Sequence, residues 1–385
     1  MVEVVVVDVT AAADDVGAAD ARTITAVSTT VVSRPYWTPF EISSGSTPTL
    51  ESVLVRITAQ DAVGTGETTA MTAYSGETTA GLIDAIASIL APAVIGRPLF
   101  DLAGLHQHMD AAVRGRSLAK AAIDMAVVDA QGRALGVPAG VLLGGRVRET
   151  VDMAWVIGLT EIESAVAAAV AKVAEGYRHI KVKGGHDPRR DVELVTELCR
   201  SLPAGAELAI DFNEAYDLGT ALPVLQRMQR AGLVLAEQPV PGWDVAGMAR
   251  LTQALDLRVM ADEAIQSVHD AVRLVRDSAC DVFNIKLLKV GGFHRARQVA
   301  AIAEAAGIAV KVGTMPELGI ATMAAAHFAA ATPVATVPAD LVGPLLVDGD
   351  IVDSAPFTSR PGHAVLPDGP GLGVELVAST VEVTR

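Results

Sequence analysis

The chain has 385 residues and a formal net charge of −15, with 51% hydrophobic and 19% charged residues. This length is enough for two domains, or for one large barrel with an appended unit. An acidic balance without a basic patch predicts no nucleic-acid partner, and the apolar runs are too short to predict a membrane span. Cys199 and Cys280 are too few for a disulfide framework, which is typical of a reducing cytoplasm.

β-branched blocks and then helix-spaced apolar residues characterise the first part of the chain. The stretch MVEVVVVDVT has no basic leader and predicts a first strand rather than a signal sequence. With RTITAVSTTVV and ESVLVRITA it predicts an antiparallel sheet, interrupted at 33–48 by a Ser-, Thr-, Pro- and Gly-rich loop that we expect to be mobile. Tyr36 and Trp37 in this loop are candidate pocket residues. Residues 1–130 are therefore predicted to form an α+β domain.

Short apolar strands alternate with alanine-rich amphipathic helices in the rest of the chain. VDMAWVIG, HIKVKGG and ELAIDFNEAY are each followed by a helical pattern, at 161–176, 188–202 and 218–231. Seven or eight such units predict parallel βαβ connections and favour a closed (β/α) barrel over an open doubly wound sheet. The barrel is predicted over 131–354, with 355–385 returning to pack on the first domain.

Ionisable residues recur where the predicted barrel strands end. They are Lys183, Asp211, Glu237, Asp262 and Lys286, spaced 28, 26, 25 and 24 residues apart, each about one βα unit. The carboxyl ends of parallel barrel strands meet at one mouth, where active sites of such barrels are found. The spacing therefore predicts two lysines and three carboxylates around one rim, with Glu317 one unit further on. Each carboxylate taken alone could equally be a helix cap.

Three carboxylates on adjacent strand ends predict a metal site. Without a cation they would repel one another and raise one another's pKa values, whereas Mg²⁺, or Mn²⁺ in its place, is bound by oxygen ligands of this kind. Asp211, Glu237 and Asp262 are the candidate ligands. Asn213 and Glu263 are candidate supporting residues at the same edge.

Lys181 and Lys183 in HIKVKGG lie two apart, so their side chains share one face of the strand. Such a pair is more often solvated or protects a sheet edge. Only seven of the 30 basic residues are lysines, however, and five of these fall in strand-like stretches, which makes a surface role a weaker explanation for them. We expect a bound cation and the second ammonium group to disfavour the charged form of Lys183, so that it can move a proton at a carbon next to a carboxylate. Lys181 is the predicted neighbour that tunes this pKa, and Lys286 is predicted to face the opposite side of the substrate.

The whole pattern resembles the enolase superfamily. Lys-x-Lys at 181–183, the three carboxylates and NIKLLKVGG with Lys286 are similar to the muconate lactonizing enzyme subgroup; the mandelate racemase subgroup has a histidine on the seventh strand, where this chain reads VKVGTMPE. The resemblance covers nearly the whole chain and implies a modified (β/α) barrel with an N-terminal capping domain, whose mobile loop at 33–48 selects the substrate. It implies a Mg²⁺-dependent, cytoplasmic, homo-oligomeric enzyme acting on a small carboxylate through an enolate, with a supporting role for Glu317.

The resemblance also implies an activity and leaves alternatives open. MAWVIG, GTMPELGIATMAAAH and DLVGPLLVDGDIV are similar to enzymes that close cis,cis-muconate to muconolactone, with Lys183 protonating the enolate. Racemases, epimerases or dehydratases of amino-acid derivatives or hydroxyacids, o-succinylbenzoate synthases and N-acylamino acid racemases remain alternatives. Dipeptide epimerases carry Asp-x-Asp for the substrate ammonium, where this chain has Asp340 and then Val342. Outside the enzymes, the alternative is a non-catalytic barrel whose rim charges pair as salt bridges.

Overall fold

The computed structural model of the chain describes residues 7–10, 22–42, 45–353 and 357–377. The first six residues of the predicted first strand lie outside these ranges. Within them no helix is both long enough and apolar enough to cross a membrane.

The N-terminal part is a four-stranded antiparallel sheet in the order β1-β2-β3-β4, as the β-branched blocks predict. Its strands are β1 (Val7–Thr10), β2 (Ala26–Ile42), β3 (Gly45–Ala59) and β4 (Ala62–Thr69). The helices are α1 (Thr72–Ser75), α2 (Thr79–Asp84), a π-helical turn (Ala85–Leu90), α3 (Ala91–Val94), α4 (Leu102–Ala112), α5 (Ser117–Leu135) and α6 (Ala139–Leu142).

Two glycines let helix α5 lie directly on the sheet. A Cβ at Gly64 would stand 2.1 Å from the carbonyl oxygen of Ala126, and one at Gly66 would stand 1.9 Å from that of Ala122. Any larger residue at these positions of β4 would push the helix away. Because α5 is alanine-rich and buried along most of its length, the sheet and helix form one close-packed core.

The segment at 33–48 differs from its prediction as a loop. Strands β2 and β3 pair from Ala26–Thr58 to Pro35–Thr49, and again from Phe40–Thr47 to Ile42–Gly45, with a register shift between. Serine and threonine tolerate strand geometry, and a proline is accommodated at an irregularity of the ladder, so the loop prediction is wrong for the backbone. The mobility of this hairpin stays a prediction, and the side chains of 38–47 lie outside the description.

The barrel part is a parallel sheet in the order β12-β11-β10-β9-β8-β7-β6, which confirms the predicted alternation of strands and helices. Its strands are β6 (Ala154–Ile157), β7 (His179–Lys183), β8 (Glu207–Asp211), β9 (Leu235–Glu237), β10 (Arg258–Ala261), β11 (Val282–Ile285) and β12 (Ala309–Val312). The helices are α7 (Ile162–Glu175), α8 (Pro188–Ser201), α9 (Leu218–Ala231), α10 (Val245–Ala254), α11 (Val268–Arg276), α12 (Leu287–Val290), α13 (Phe293–Ala306), α14 (Gly319–Ala331) and α15 (Gly343–Leu346).

Residues 337–340 join the two edges of this sheet. On the β12 side, Val337 N–H donates to Val310 O at 3.2 Å and Asp340 N–H to Val312 O at 3.1 Å. On the β6 side, Ala154 N–H donates to Ala339 O at 2.9 Å, and Met153 and Ala339 form a parallel bridge. This segment, which we call the seam, takes the place of an eighth strand and closes a modified barrel.

The described part of the C-terminal segment contacts both the barrel and the N-terminal part. Strand β13 (His363–Val365) pairs antiparallel with β5 (Thr150–Asp152) beside the barrel entry. Further on, Leu372 N–H donates to Asp129 Oδ1 of α5 at 2.8 Å. The described part of this segment thus crosses from one part of the molecule to the other.

Candidate active site

A cavity lies between the N-terminal sheet and the barrel rim, at the carboxyl ends of the parallel strands. It holds about 730 Å³ not filled by protein atoms, part of it open to solvent. Polar and ionisable lining residues are Lys181, Lys183, Asp211, Asn213, Lys286, Thr314, Glu317 and Asp340. The apolar and aromatic wall includes Tyr36, Leu50, Met71, Tyr74, Val156, Val342 and Leu346. The predicted rim residues and the N-terminal sheet therefore share one cavity.

The two lysines of HIKVKGG meet at one carboxylate oxygen. Lys183 Nζ lies 2.6 Å from Asp211 Oδ2 and donates to Asn213 Oδ1 at 2.8 Å. Lys181 Nζ lies 3.0 Å from the same Asp211 oxygen and 2.5 Å from Glu237 Oε2. Because strands β7 and β8 are in register with Lys183 opposite Asp211, these contacts follow from the alignment of the strand ends. The two ammonium groups therefore lie beside the same carboxylate oxygen, and the tuning role of Lys181 stays a prediction.

Asp262 is held by two lysines on the far side of the rim. Lys286 Nζ lies 2.6 Å from Asp262 Oδ2, and Lys289 Nζ lies 2.5 Å from Oδ1. Lys289 is fully buried and also donates to the carbonyl oxygens of Asp262 and Asn284, at 2.7 and 2.9 Å. Lys286 lines the cavity, and its ammonium stands 5.2 Å from the centre of the Tyr74 ring.

The buried charges shift one another's pKa values. Burial opposes ionisation of Asp211 and Asp262, but the lysines beside them hold the pKa of each carboxyl below its usual range. Burial also disfavours the charged forms of Lys181 and Lys286, yet the neighbouring carboxylates raise the pKa of both. These pairs are therefore ionised at neutral pH. The predicted fall in the pKa of Lys183 requires a bound cation and stays a prediction.

Two further glutamates at the rim carry raised pKa values. Burial, followed by the charge of Asp211, raises the pKa of Glu237, which accepts a hydrogen bond from Asn284 Nδ2 at 2.8 Å. Burial and the charge of Asp262 raise the pKa of Glu263 to about 8, although Asn213 Nδ2 donates to it at 2.9 Å. Asn213 thus bridges Lys183 and Glu263, and its supporting role stays a prediction.

Glu317 lies in the cavity, on the loop between β12 and α14. It is 3% exposed, and burial, followed by the charge of Glu67, raises its pKa well above the usual range. Tyr36 also lines the cavity. Trp37 is 66% exposed and does not belong to the described lining, so its predicted place in the pocket is not found in this structure.

Sequence reasoning assigned no role to several residues of the site. Lys311 Nζ lies 2.7 Å from Asp340 Oδ1, and Lys181 donates to the other oxygen, Oδ2, at 3.0 Å. Lys289 and Lys311 both belong to the seven lysines of the chain, and this rarity is the sequence signal that points to them. Tyr74, whose hydroxyl is 3.4 Å from Asp262 Oδ1, had no signal, because it comes from a different part of the chain.

The three candidate metal ligands have the right chemistry but are covered by lysines. Glu237 and Asp262 are fully buried and lie outside the cavity lining, each in contact with a lysine that does line it. In the described ranges no three His, Cys, Asp or Glu side chains are already grouped as a metal site. Glu263 Oε2 is nevertheless buried without a hydrogen-bond donor from the described residues, whereas Glu237 Oε2 contacts the Lys181 ammonium. Hard carboxylate oxygens at one strand edge, balanced by ammonium groups, fit a divalent cation.

Comparison with known proteins follows the same two parts of the chain. Residues 23–144 match the N-terminal domain of the mandelate racemase / muconate lactonizing enzyme family, and residues 164–380 match the enolase C-terminal domain-like family. Muconate cycloisomerase 1 of Rhodococcus opacus is 35% identical over 93% of this chain and 97% of its own. L-Ala-D/L-Glu epimerase of Clostridium acetobutylicum is 33% identical over 89% of this chain and 96% of its own.

Solved structures show the same likeness. The muconate lactonizing enzyme of Pseudomonas fluorescens complexed with muconolactone has a TM-score of 0.90 and 33% identity, covering 94% of this chain and 98% of its own. The N-succinyl Arg/Lys racemase of Bacillus cereus has a TM-score of 0.90 and 30% identity, covering 94% of this chain and 97% of its own.

The barrel, the rim and these matches define the chain as an enzyme of the isomerase class in the enolase superfamily. Within that superfamily it belongs to the mandelate racemase / muconate lactonizing enzyme family, in the muconate lactonizing enzyme subgroup. The N-terminal sheet and its helices are called the capping domain from here on.

Proposed function

We propose that the chain is a Mg²⁺-dependent cycloisomerase that closes cis,cis-muconate to muconolactone. The observation that carries this proposal is the arrangement of Lys183 and Lys286, which both line the cavity and contact carboxylates at different strand ends. Two ammonium groups beside one cavity can act on a bound carboxylate from two sides. Mn²⁺ is an alternative cation.

The proposed chemistry requires one proton transfer and no redox step. Asp211, Glu237 and Asp262 would hold the cation, which supplies charge that stabilises the enolate form of a carboxylate. One muconate carboxylate oxygen forms a bond to the alkene carbon β to the other carboxylate, and the π electron pair of that alkene moves to this other carboxylate as an enolate. Lys183 Nζ then donates a proton to the carbon next to that carboxylate. Lys286 stays charged and stabilises the developing negative charge.

The charge of the cavity favours a substrate without a free ammonium group. Both oxygens of Asp340 already contact lysines, Lys181 at 3.0 Å and Lys311 at 2.7 Å. Asp211 is likewise paired, and burial, followed by the charge of Glu67, raises the pKa of Glu317 well above its usual range, which disfavours its charged form. The carboxyl groups among the described lining residues are therefore either paired with a lysine or disfavoured as anions, which weakens pairing with a substrate cation. A dicarboxylate is preferred over a dipeptide on this ground.

A second candidate is racemisation of an N-acylamino acid. Acylation removes the ammonium group, so the paired state of Asp340 does not exclude such a substrate. The apolar wall formed by Leu50, Met71 and Leu346 could receive an acyl chain. In this reaction one lysine would take the α-proton and the other would return one on the opposite face.

Several further expectations belong to this proposal. The resemblance favours a cytoplasmic homo-oligomer, a mobile substrate-selecting segment at 33–48, and domain bounds at 1–130, 131–354 and 355–385. Solution light scattering and limited proteolysis would test the oligomeric state and the mobility of the hairpin.

A substrate screen with Mg²⁺ tests the function. Muconate closure is followed by loss of ultraviolet absorbance, and N-acylamino acids and dipeptides are followed by exchange of the α-proton in deuterated water. We expect muconate turnover that is lost in Lys183→Met and Lys286→Met and kept in Lys172→Met, which removes a lysine paired with Glu175 on the outer helix α7. Exchange of an N-acylamino acid without muconate turnover would overturn the first assignment in favour of the second.

A further inference from the structure

We infer that Glu67 of the capping domain is a positioning residue of the active site, tying two opposite walls of the cavity together. The inference rests on the proposed function only in treating this cavity as the active site. Glu67 lies on β4, away from the rim strands, and is fully buried.

Three hydrogen bonds hold the Glu67 carboxylate. Ser52 Oγ, from the neighbouring strand β3, donates to Oε1 at 2.8 Å. Leu318 N–H donates to the same oxygen at 2.6 Å, and Ala321 N–H donates to Oε2 at 2.9 Å. Leu318 and Ala321 belong to the start of barrel helix α14, so one carboxylate connects the capping sheet with a barrel helix.

Glu67 stands between the two segments that form these walls. After β4 the chain continues to Met71 and Tyr74, which line the cavity, and the Tyr74 hydroxyl approaches Asp262. On the barrel side, Leu318 directly follows Glu317, which lines the cavity from the other domain. Since the atoms bound by Glu67 lie a few residues from each wall, loss of its hydrogen bonds frees both walls relative to each other.

The helix start makes a carboxylate the suitable group. Leu318, the N-cap of α14, makes no side-chain capping bond, so the first N–H groups of the helix need acceptors from elsewhere. Asp350 Oδ1 accepts from Gly319 N–H at 3.0 Å, and Glu67 supplies the acceptors for Leu318 and Ala321. A glutamine has one acceptor oxygen and one NH₂ donor, so it cannot serve both N–H groups.

The test compares Glu67→Gln with Asp129→Asn. Asp129 is another buried capping-domain carboxylate; it accepts N–H bonds from Thr65 at 2.9 Å and Leu372 at 2.8 Å, and it does not line the cavity. Steady-state kinetics are measured with muconate at pH 8, where Glu67 is mostly ionised because burial raises its pKa to about 7. Amide hydrogen exchange is measured in parallel for 70–75 and 315–322, because this readout needs no substrate.

We expect Glu67→Gln to raise KM about tenfold or more, as loss of a charge-assisted hydrogen bond permits, and to speed exchange in both segments. Asp129→Asn should leave both readouts unchanged at equal folded fraction. Ser52→Ala removes one of the three hydrogen bonds and should raise KM and speed exchange in both segments, but less than Glu67→Gln does. It replaces Glu67→Gln in the test if that variant does not fold. Faster exchange in one segment only, or an unchanged KM in a variant that turns over muconate, would overturn the inference. If the wild-type enzyme leaves muconate untouched, the proposed function fails, and exchange in the two segments alone decides the role of Glu67.

Discussion

Replacement of each of two buried rim lysines should affect the stability and the activity of the enzyme to different extents. Lys183 and Lys289 each contact a candidate metal ligand, Asp211 at 2.6 Å and Asp262 at 2.5 Å. Lys183 lines the cavity, whereas Lys289 is fully buried and does not line it. Replacement by methionine removes each ammonium group and keeps most of the side-chain volume. The two variants therefore make a matched pair.

The structure predicts a larger loss of stability for Lys289→Met. Lys289 makes three short contacts, two of them with backbone carbonyl oxygens that would lose their donor. Removal of one partner from such a buried pair costs about 3–5 kcal/mol. For Lys183→Met we expect about 1–3 kcal/mol, because Asp211 keeps Lys181 at 3.0 Å and the Lys183 side chain is 10% exposed. The free energy of unfolding from urea titration measures both values.

Activity should follow the opposite order. Loss of the proposed proton donor should lower kcat by about 10²- to 10⁴-fold in Lys183→Met, with a smaller change in KM. Lys289→Met, corrected for its folded fraction and assayed at saturating Mg²⁺ with the substrate found in the screen, should keep kcat within about tenfold of the wild type, because Lys289 does not reach the substrate. Equal losses of kcat, or a larger loss of stability in Lys183→Met, would refute the division of roles between these lysines.

Three further predictions concern charge in the two domains and the proposed cation. Burial raises the pKa of Glu67 from 4.5 to about 7, so the folded state binds the proton more tightly than the unfolded state. As the pH rises between these two values, the wild type therefore loses stability relative to Glu67→Gln. The loss is about 3 kcal/mol, at about 1.4 kcal/mol per pH unit. Urea titrations of both proteins at pH 4.5, 6 and 8 check this, and a constant difference would contradict it. Asp340→Asn leaves the buried ammonium of Lys311 without its partner, so we expect the free energy of unfolding to fall by about 3–5 kcal/mol. The control Asp348→Asn changes an exposed residue and should lower it by less than about 0.5 kcal/mol. Equal losses in the two variants would contradict the seam pairing. Millimolar Mg²⁺ should raise the melting temperature of the wild type by mass action, and EDTA should remove both this shift and turnover; a melting temperature that ignores Mg²⁺ would count against a metal site.

The sequence predicts the barrel well, because its signals are local. Each parallel strand is a short apolar run and each helix has its own apolar face, so the periodicity reveals them one by one. The rim residues could be placed together for the same reason: Asp211 and Glu237 lie opposite each other in adjacent strands, as the repeat spacing indicates. Because each βα unit adds one strand to the barrel, residues spaced by one unit in the sequence are predicted to be neighbours on the rim.

The sequence does not predict contacts between segments that lie far apart in the chain. Tyr74 and Glu67 reach the barrel from the capping domain, and no repeat relates them to the rim. The composition of 33–48 is that of a loop, whereas pairing between two long strands decides the structure of its described residues. Trp37 was placed in the pocket because it is aromatic and lies near Tyr36, but successive strand residues point to opposite faces.

The seam has a consequence for how the enzyme becomes active during folding. Residues 337–340 join strands that stand far apart in the chain, and contacts between distant segments form slowly because loop closure costs entropy. Asp340 lies in the seam and is the residue that contacts both Lys181 and Lys311. A chain with its helices and most strands formed, but with the seam open, would lack this contact beside Lys183, the proposed proton donor. During refolding, turnover should therefore return later than helical circular dichroism.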